Sequence, residues 1–145
     1  MTRWNLIALF FMTLVAAAHT ALGQSLGELD TGYKIQLLWT EEPPGLGASI
    51  NSTTLYPCVG YIIRSNVERS QDTLQIYMTG MIAPKPCLQD MNEATGTCYL
   101  GNIEGGSYFV AIYYRGRRDL YRLTIDDREL IVHPVQTTFT TVQDK

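Results

Sequence analysis

Histidine is nearly missing from this chain. Of two imidazoles, His19 lies in the N-terminal apolar stretch and only His133 lies beyond it. A zinc centre built on two or three imidazoles of one chain is therefore not available. Cysteine is scarce too: Cys58, Cys87 and Cys98 are the full complement, and a single disulfide would use up most of the thiolates a metal needs. Basic residues are in slight deficit, 11 against 14 acidic ones, without the clustered excess of Lys and Arg that marks a nucleic-acid binder. No apolar run reaches the roughly 20 residues that span a bilayer as a helix. No Gly-x-Ser-x-Gly elbow occurs to activate a serine. Repeats and low-complexity segments are also lacking.

What is present begins with a leader. Arg3 is followed by an apolar run from Leu6 to Ala18, then Ala21-Leu22-Gly23 before Gln24. A basic start, a short apolar core and small residues at −3 and −1 are what a secretory signal peptide requires. The reading is a cleaved signal over 1–23 and one domain over 24–145, secreted or periplasmic, with no membrane anchor after cleavage. No cysteine follows the cleavage site, which argues against a lipid-anchored form. The domain keeps 10 of the basic residues and all 14 acidic ones, so neither nucleic acid nor an anionic membrane is expected as a partner. Its size suits a single modest core.

In an oxidising compartment the three cysteines should yield one bridge. Cys87 and Cys98 flank Leu88–Thr97, a polar stretch without strand pattern, so a Cys87–Cys98 disulfide closing that loop is expected. Cys58, among Val59, Ile62 and Ile63, reads as a buried free thiol. Its pairing with Cys87 or Cys98 across a sandwich is the alternative.

Period-two alternation dominates the rest. Tyr33, Ile35, Leu37 and Trp39 oppose Lys34, Gln36 and Thr40, a half-buried strand over 32–40. Glu41 to Gly47 reads as a turn, Leu55 to Ser65 as a strand interrupted by Pro57 and Gly60, and Val67 to Gln71 as a polar turn. Thr73 to Thr79 alternates again, with Leu74, Ile76 and Met78 against Gln75 and Tyr77. Tyr99 to Ile103 is a short strand, and one helical turn fits between Cys87 and Ala94. Ser107–Arg115, Leu120–Asp126 and Glu129–Val135 form an antiparallel meander through two tight turns.

Six or seven such strands predict an all-β fold, an antiparallel β-sandwich of immunoglobulin-like or prealbumin-like type. An up-and-down barrel is the second choice, and a sheet capped by one helix the third. The run Gly106-Ser107-Tyr108-Phe109-Val110-Ala111-Ile112 followed by Asp119-Leu120-Tyr121-Arg122-Leu123 resembles the closing strands of prealbumin-like and other immunoglobulin-like domains. That resemblance spans only about 30 residues, implies a fold and brings no functional residue with it.

Chemistry-bearing groups are few. His133, between Val132 and Pro134, reads as an edge-strand imidazole. Cys58 has apolar neighbours that raise a thiol pKa, which disfavours a nucleophile. Asp126, Asp127 and Glu129, and separately Asp90 and Glu93, are turn and loop carboxylates, without the spacing of a calcium loop. No cofactor is implied, and an enzyme is not expected. Asn51-Ser52-Thr53 matches the N-glycosylation acceptor, with a loop expected there.

One constellation remains. Tyr113, Arg115, Arg117, Arg118, Tyr121 and Arg122 share a hairpin in an otherwise acidic protein, and Tyr and Arg dominate interface hot spots. Cross-strand stacking that merely stabilises the hairpin would use the same residues. The functional expectation is a binding module that contacts an extracellular or periplasmic protein, including an enzyme it inhibits, through this hairpin. The alternatives are an accessory domain of an envelope or matrix assembly, with Glu129–Val135 as its pairing edge, and a binder of extracellular glycan or a carrier of a small apolar ligand.

Overall fold

A computed structural model describes residues 32–143; the expected signal peptide over 1–23 lies outside the described residues. Nine strands follow one another: β1 (Tyr33–Glu41), β2 (Pro44–Val59), β3 (Ile62–Ser70), β4 (Thr73–Ile82), β5 (Leu88–Gly101), β6 (Gly106–Tyr114), β7 (Arg117–Asp126), β8 (Glu129–Gln136) and β9 (Thr140–Gln143). They form one sheet in the order β8-β7-β6-β4-β3-β5-β2-β1-β9. Three of its pairings, β1 with β9, β4 with β6 and β3 with β5, are parallel.

The all-β expectation holds, while the six- or seven-stranded sandwich does not. The fold is a single mixed sheet, curled until it nearly closes like a barrel. The end strands β8 and β9 are consecutive in the chain. Two contacts draw the ends together. Asp119 of β7 accepts hydrogen bonds from the chain entering β9, and the Trp39 indole N–H on β1 donates to the Arg128 carbonyl in the β7–β8 turn at 2.6 Å.

Alternation explains the interior. Tyr33, Ile35 and Leu37 of β1, Leu74, Ile76 and Met78 of β4, and Tyr121, Leu123 and Ile125 of β7 all point into one buried cluster. Each large aliphatic so buried contributes about 1.5–3 kcal/mol. The space between the walls, which a carrier of apolar ligands would keep open, is occupied there by Ile35, Leu46, Ile50, Leu74, Ile76, Ile112 and Leu123, none with exposed surface. Ser52 is one of the buried polar residues, with Asp119 and Thr140. It sits where β2 slips register against β5, between Asn51 and Leu55. Its hydroxyl donates to Thr54 O and accepts from Ala94 N–H, so burial leaves no orphan group. Gly96 of β5 is required by closeness: a Cβ there would lie 2.6 Å from the Ile63 carbonyl oxygen of β3.

Several local readings are corrected by long strands. Residues 44–54, read partly as turn, belong to β2, and 88–97, read as a polar loop, belong to β5. The break at Gly60 separates β2 from β3, and β3 continues through the supposed turn to Ser70. The Asn51 acceptor site therefore lies mid-strand, paired with Lys34 and Thr95, with Ser52 buried.

The disulfide is corrected as well: it joins Cys58 to Cys87, not Cys87 to Cys98. Cys87 immediately precedes β5, and Cys98 lies near its far end. Eleven residues of extended chain separate them by about 36 Å, far beyond disulfide reach. The β2–β5 register instead sets Cys58 opposite Gln89, with Val59 opposite Leu88, leaving the Cα atoms of Cys58 and Cys87 5.2 Å apart. Closing a loop of this length stabilises the fold by about 3–4 kcal/mol in the chain-entropy model. Cys98, not Cys58, is the free thiol; it is partly buried, and burial pushes its pKa up.

Candidate functional site

The hairpin of β6 and β7 carries the residues singled out from the sequence. Its register sets Tyr113 opposite Arg118, Phe109 opposite Arg122 and Tyr114 opposite Arg117. Because successive side chains of a strand alternate between faces, the hairpin divides into an outer and an inner set.

On the outer surface, Tyr113 stacks on Tyr77 of the neighbouring β4, with ring centroids 4.7 Å apart and planes within 12°. Tyr77 is fixed in turn by donating its hydroxyl to Gln75 at 2.8 Å. Arg118 is exposed in the same cross-strand row. Four residues along, the Arg122 guanidinium lies 6.0 Å from the Phe109 ring centroid, and His133 of β8 stands opposite Arg122. Phe109 and Ile131 on this surface are 37% and 39% exposed. Tyr77, Tyr113, Arg118, Phe109, Arg122 and Ile131 thus share the outer face of β4, β6, β7 and β8, in two rows with the Ala111/Leu120 pair between them.

Tyr121 does not belong to it. It points inward at 2% exposure, where its hydroxyl bonds the Thr140 carbonyl and hydroxyl, each at 2.8 Å. Burial, with the Asp119 charge adding to it, raises its pKa although the Thr140 bond pulls the other way. Arg115 and Arg117 are engaged at the rim. The Arg115 guanidinium lies 5.3 Å from the Tyr114 ring and that of Arg117 4.8 Å from the Phe139 ring. Their cation–π contacts seal the place where the hairpin meets the chain entering β9. Of the six predicted contact residues, Tyr113, Arg118 and Arg122 share the outer face, two arginines close the rim, and Tyr121 belongs to the core.

Asp119 is the residue that sequence reading placed in a turn. It is fully buried on β7. Burial would push its carboxyl upward, but hydrogen bonds from the Thr140 and Thr138 hydroxyls and the Phe139 and Thr140 amides outweigh that and hold it below its ordinary value. It is a structural anion with every lone pair directed at a donor. The carboxylates of the β7–β8 turn remain exposed, and among the described residues no three His, Cys, Asp or Glu side chains come together to hold a metal ion. Tyr77, Phe109 and Ile131 are the outer-face residues outside the predicted contact set; the signal available for Tyr77 was a large aromatic on the polar side of an alternating strand.

No protein-family model, curated protein or solved structure matches the chain.

Proposed function

We propose that this protein is a non-catalytic binding module of an extracellular or periplasmic compartment, and that it docks a protein partner through the outer face of β4, β6, β7 and β8. The observation that carries this reading is the Tyr77–Tyr113 stack with Arg118 beside it, flanked by half-open Phe109 and Ile131. Stacked aromatics are already rigid, so docking on them costs little side-chain entropy, and Tyr and Arg are the types that most often anchor interfaces. The compartment rests on the leader and on a Cys58–Cys87 disulfide compatible with oxidising surroundings.

The test compares the wild-type protein with a Tyr113→Ala/Arg118→Ala/Arg122→Ala variant, by crosslinking in the extracellular or envelope fraction of the host. A partner captured by the wild type and lost by the variant supports the outer face. Equal capture by both would keep the binding class and discard this surface.

A further inference from the structure

We propose that the open cleft at the opposite end of β7 from Arg118 is a carbohydrate site that takes a neutral pyranose oligosaccharide. The cleft encloses about 780 Å³ and is lined by Trp39, Glu41, Asn102, Asp127 and Arg128, with Ile103 and Ile125 at its floor. That volume falls in the range of small-molecule sites, about 300–1,000 Å³. The cleft lining shares no residue with the docking face of Tyr77, Tyr113, Arg118, Phe109, Arg122 and Ile131, so the two sites are tested by separate variants.

Its wall is held in place before any ligand arrives. The Trp39 indole spends its only N–H on the Arg128 carbonyl at 2.6 Å, which fixes the ring and leaves its carbon surface as what it offers to the cleft. The apolar C–H face of a pyranose ring is complementary to such a surface. Around it stand Glu41, Asn102, Asp127 and Arg128, all exposed. Within the described structure none of their side chains is engaged in a hydrogen bond or ion pair. Carboxylates accept, a guanidinium donates and an amide does both; sugar hydroxyls, each donor and acceptor at once, satisfy all three.

The turn supports the same conclusion. Asp127 and Arg128 both adopt positive φ, 47° and 73°; Asp127 suits the first position of such a two-residue hairpin and Arg128 replaces the glycine usual at the second. The turn thereby carries an acid and a guanidinium at the cleft. Charge then selects the ligand class. Two carboxylates against one guanidinium leave the lining net negative, which disfavours phosphates, nucleotides and acidic glycans and leaves a neutral sugar indifferent.

The experiment titrates the protein, produced with its own leader in an oxidising compartment, with cellotriose, maltotriose and tri-N-acetylchitotriose. Trigalacturonate serves as the acidic comparison. Binding is read by calorimetry and by the indole N–H resonance of Trp39, assigned with Trp39→Phe. The expected result is that at least one neutral trisaccharide binds and shifts that resonance, that trigalacturonate does not, and that Glu41→Gln and Asn102→Ala each weaken binding about tenfold, about 1.4 kcal/mol. Both variants alter exposed side chains without protein partners, so they leave the fold intact. Silence from all three neutral sugars at about 10 mM, well above the weakest useful affinities, would overturn the proposal. So would binding that both variants retain in full, or equal binding of trigalacturonate. None of these outcomes bears on the docking face, whose test uses other residues.

Discussion

Asp119 holds Thr140 by two short hydrogen bonds to one carboxylate oxygen, 2.6 Å from the hydroxyl and 2.7 Å from the backbone N–H. Asp119 stands on β7, next to one end of the sheet, and Thr140 opens β9, which forms the other end. One side chain therefore ties together two edges that no ladder joins. Asp119→Ala would strand three backbone donors, those of Thr138, Phe139 and Thr140. Unsatisfied buried donors cost about 1–3 kcal/mol each, partly relieved by water, so a total loss of about 3–5 kcal/mol is expected from urea unfolding. A loss below about 1 kcal/mol, the scale of an ordinary surface change, would mean that the clamp does not hold the sheet closed.

The same carboxylate predicts an acid limb in stability. Its folded pKa lies below its ordinary value, because hydrogen bonds to the anion overcome the opposing effect of burial. A depressed pKa contributes stability that is fully present above the unfolded value of about 3.9. That contribution is lost as pH falls through the lower folded value. Wild type should therefore lose stability more steeply than Asp119→Asn below about pH 4, with parallel behaviour from pH 5 to 7. Urea midpoints across that range check it; parallel curves down to pH 3 would remove Asp119 as the cause.

What the sequence made legible was the inward face of strands with one wet side. Tyr33-Ile35-Leu37, Leu74-Ile76-Met78 and Tyr121-Leu123-Ile125 alternate cleanly because the core dries one face only. Residues 88–92 at the start of β5 gave no such signal, since all are exposed and both faces meet solvent. Their strand identity depends on pairing with β2, a partner some thirty residues away. The disulfide inherits that dependence, because register and not spacing brings Cys58 to Cys87. In the hairpin, Tyr121 and Arg122 fall on opposite faces by alternation, but which face is buried depends on the rest of the sheet. Asp119 was hidden for a related reason: a carboxylate beside a turn reads as solvated unless its distant donors are known.

Thiol chemistry separates the two cysteine arrangements without a structure. Alkylation of the native protein should leave Cys58 and Cys87 blocked as a disulfide and Cys98 as the free thiol. Cys98 should react slowly until the protein is unfolded, since burial raises its pKa and thins the thiolate population. Cys98→Ser should leave the bridge intact, whereas Cys58→Ser should lower stability by about 3–4 kcal/mol. Peptide mapping that finds Cys87 joined to Cys98 would contradict the register of β5 itself.

The two tyrosines chosen from one hairpin should behave oppositely. Tyr121→Phe removes the hydroxyl that bonds Thr140 inside the sheet and should cost about 1–2 kcal/mol without affecting partner capture. Arg118→Ala on the outer face should change stability by no more than about 0.5 kcal/mol and weaken capture. Tyr113→Ala loses its stack with Tyr77, about 0.5–1.5 kcal/mol, and should weaken capture further. Chemical denaturation and crosslinking on the same three proteins separate the roles. Capture that follows stability across them, falling most for Tyr121→Phe, would make the Tyr/Arg set a scaffold that holds the fold and would dissolve the docking face.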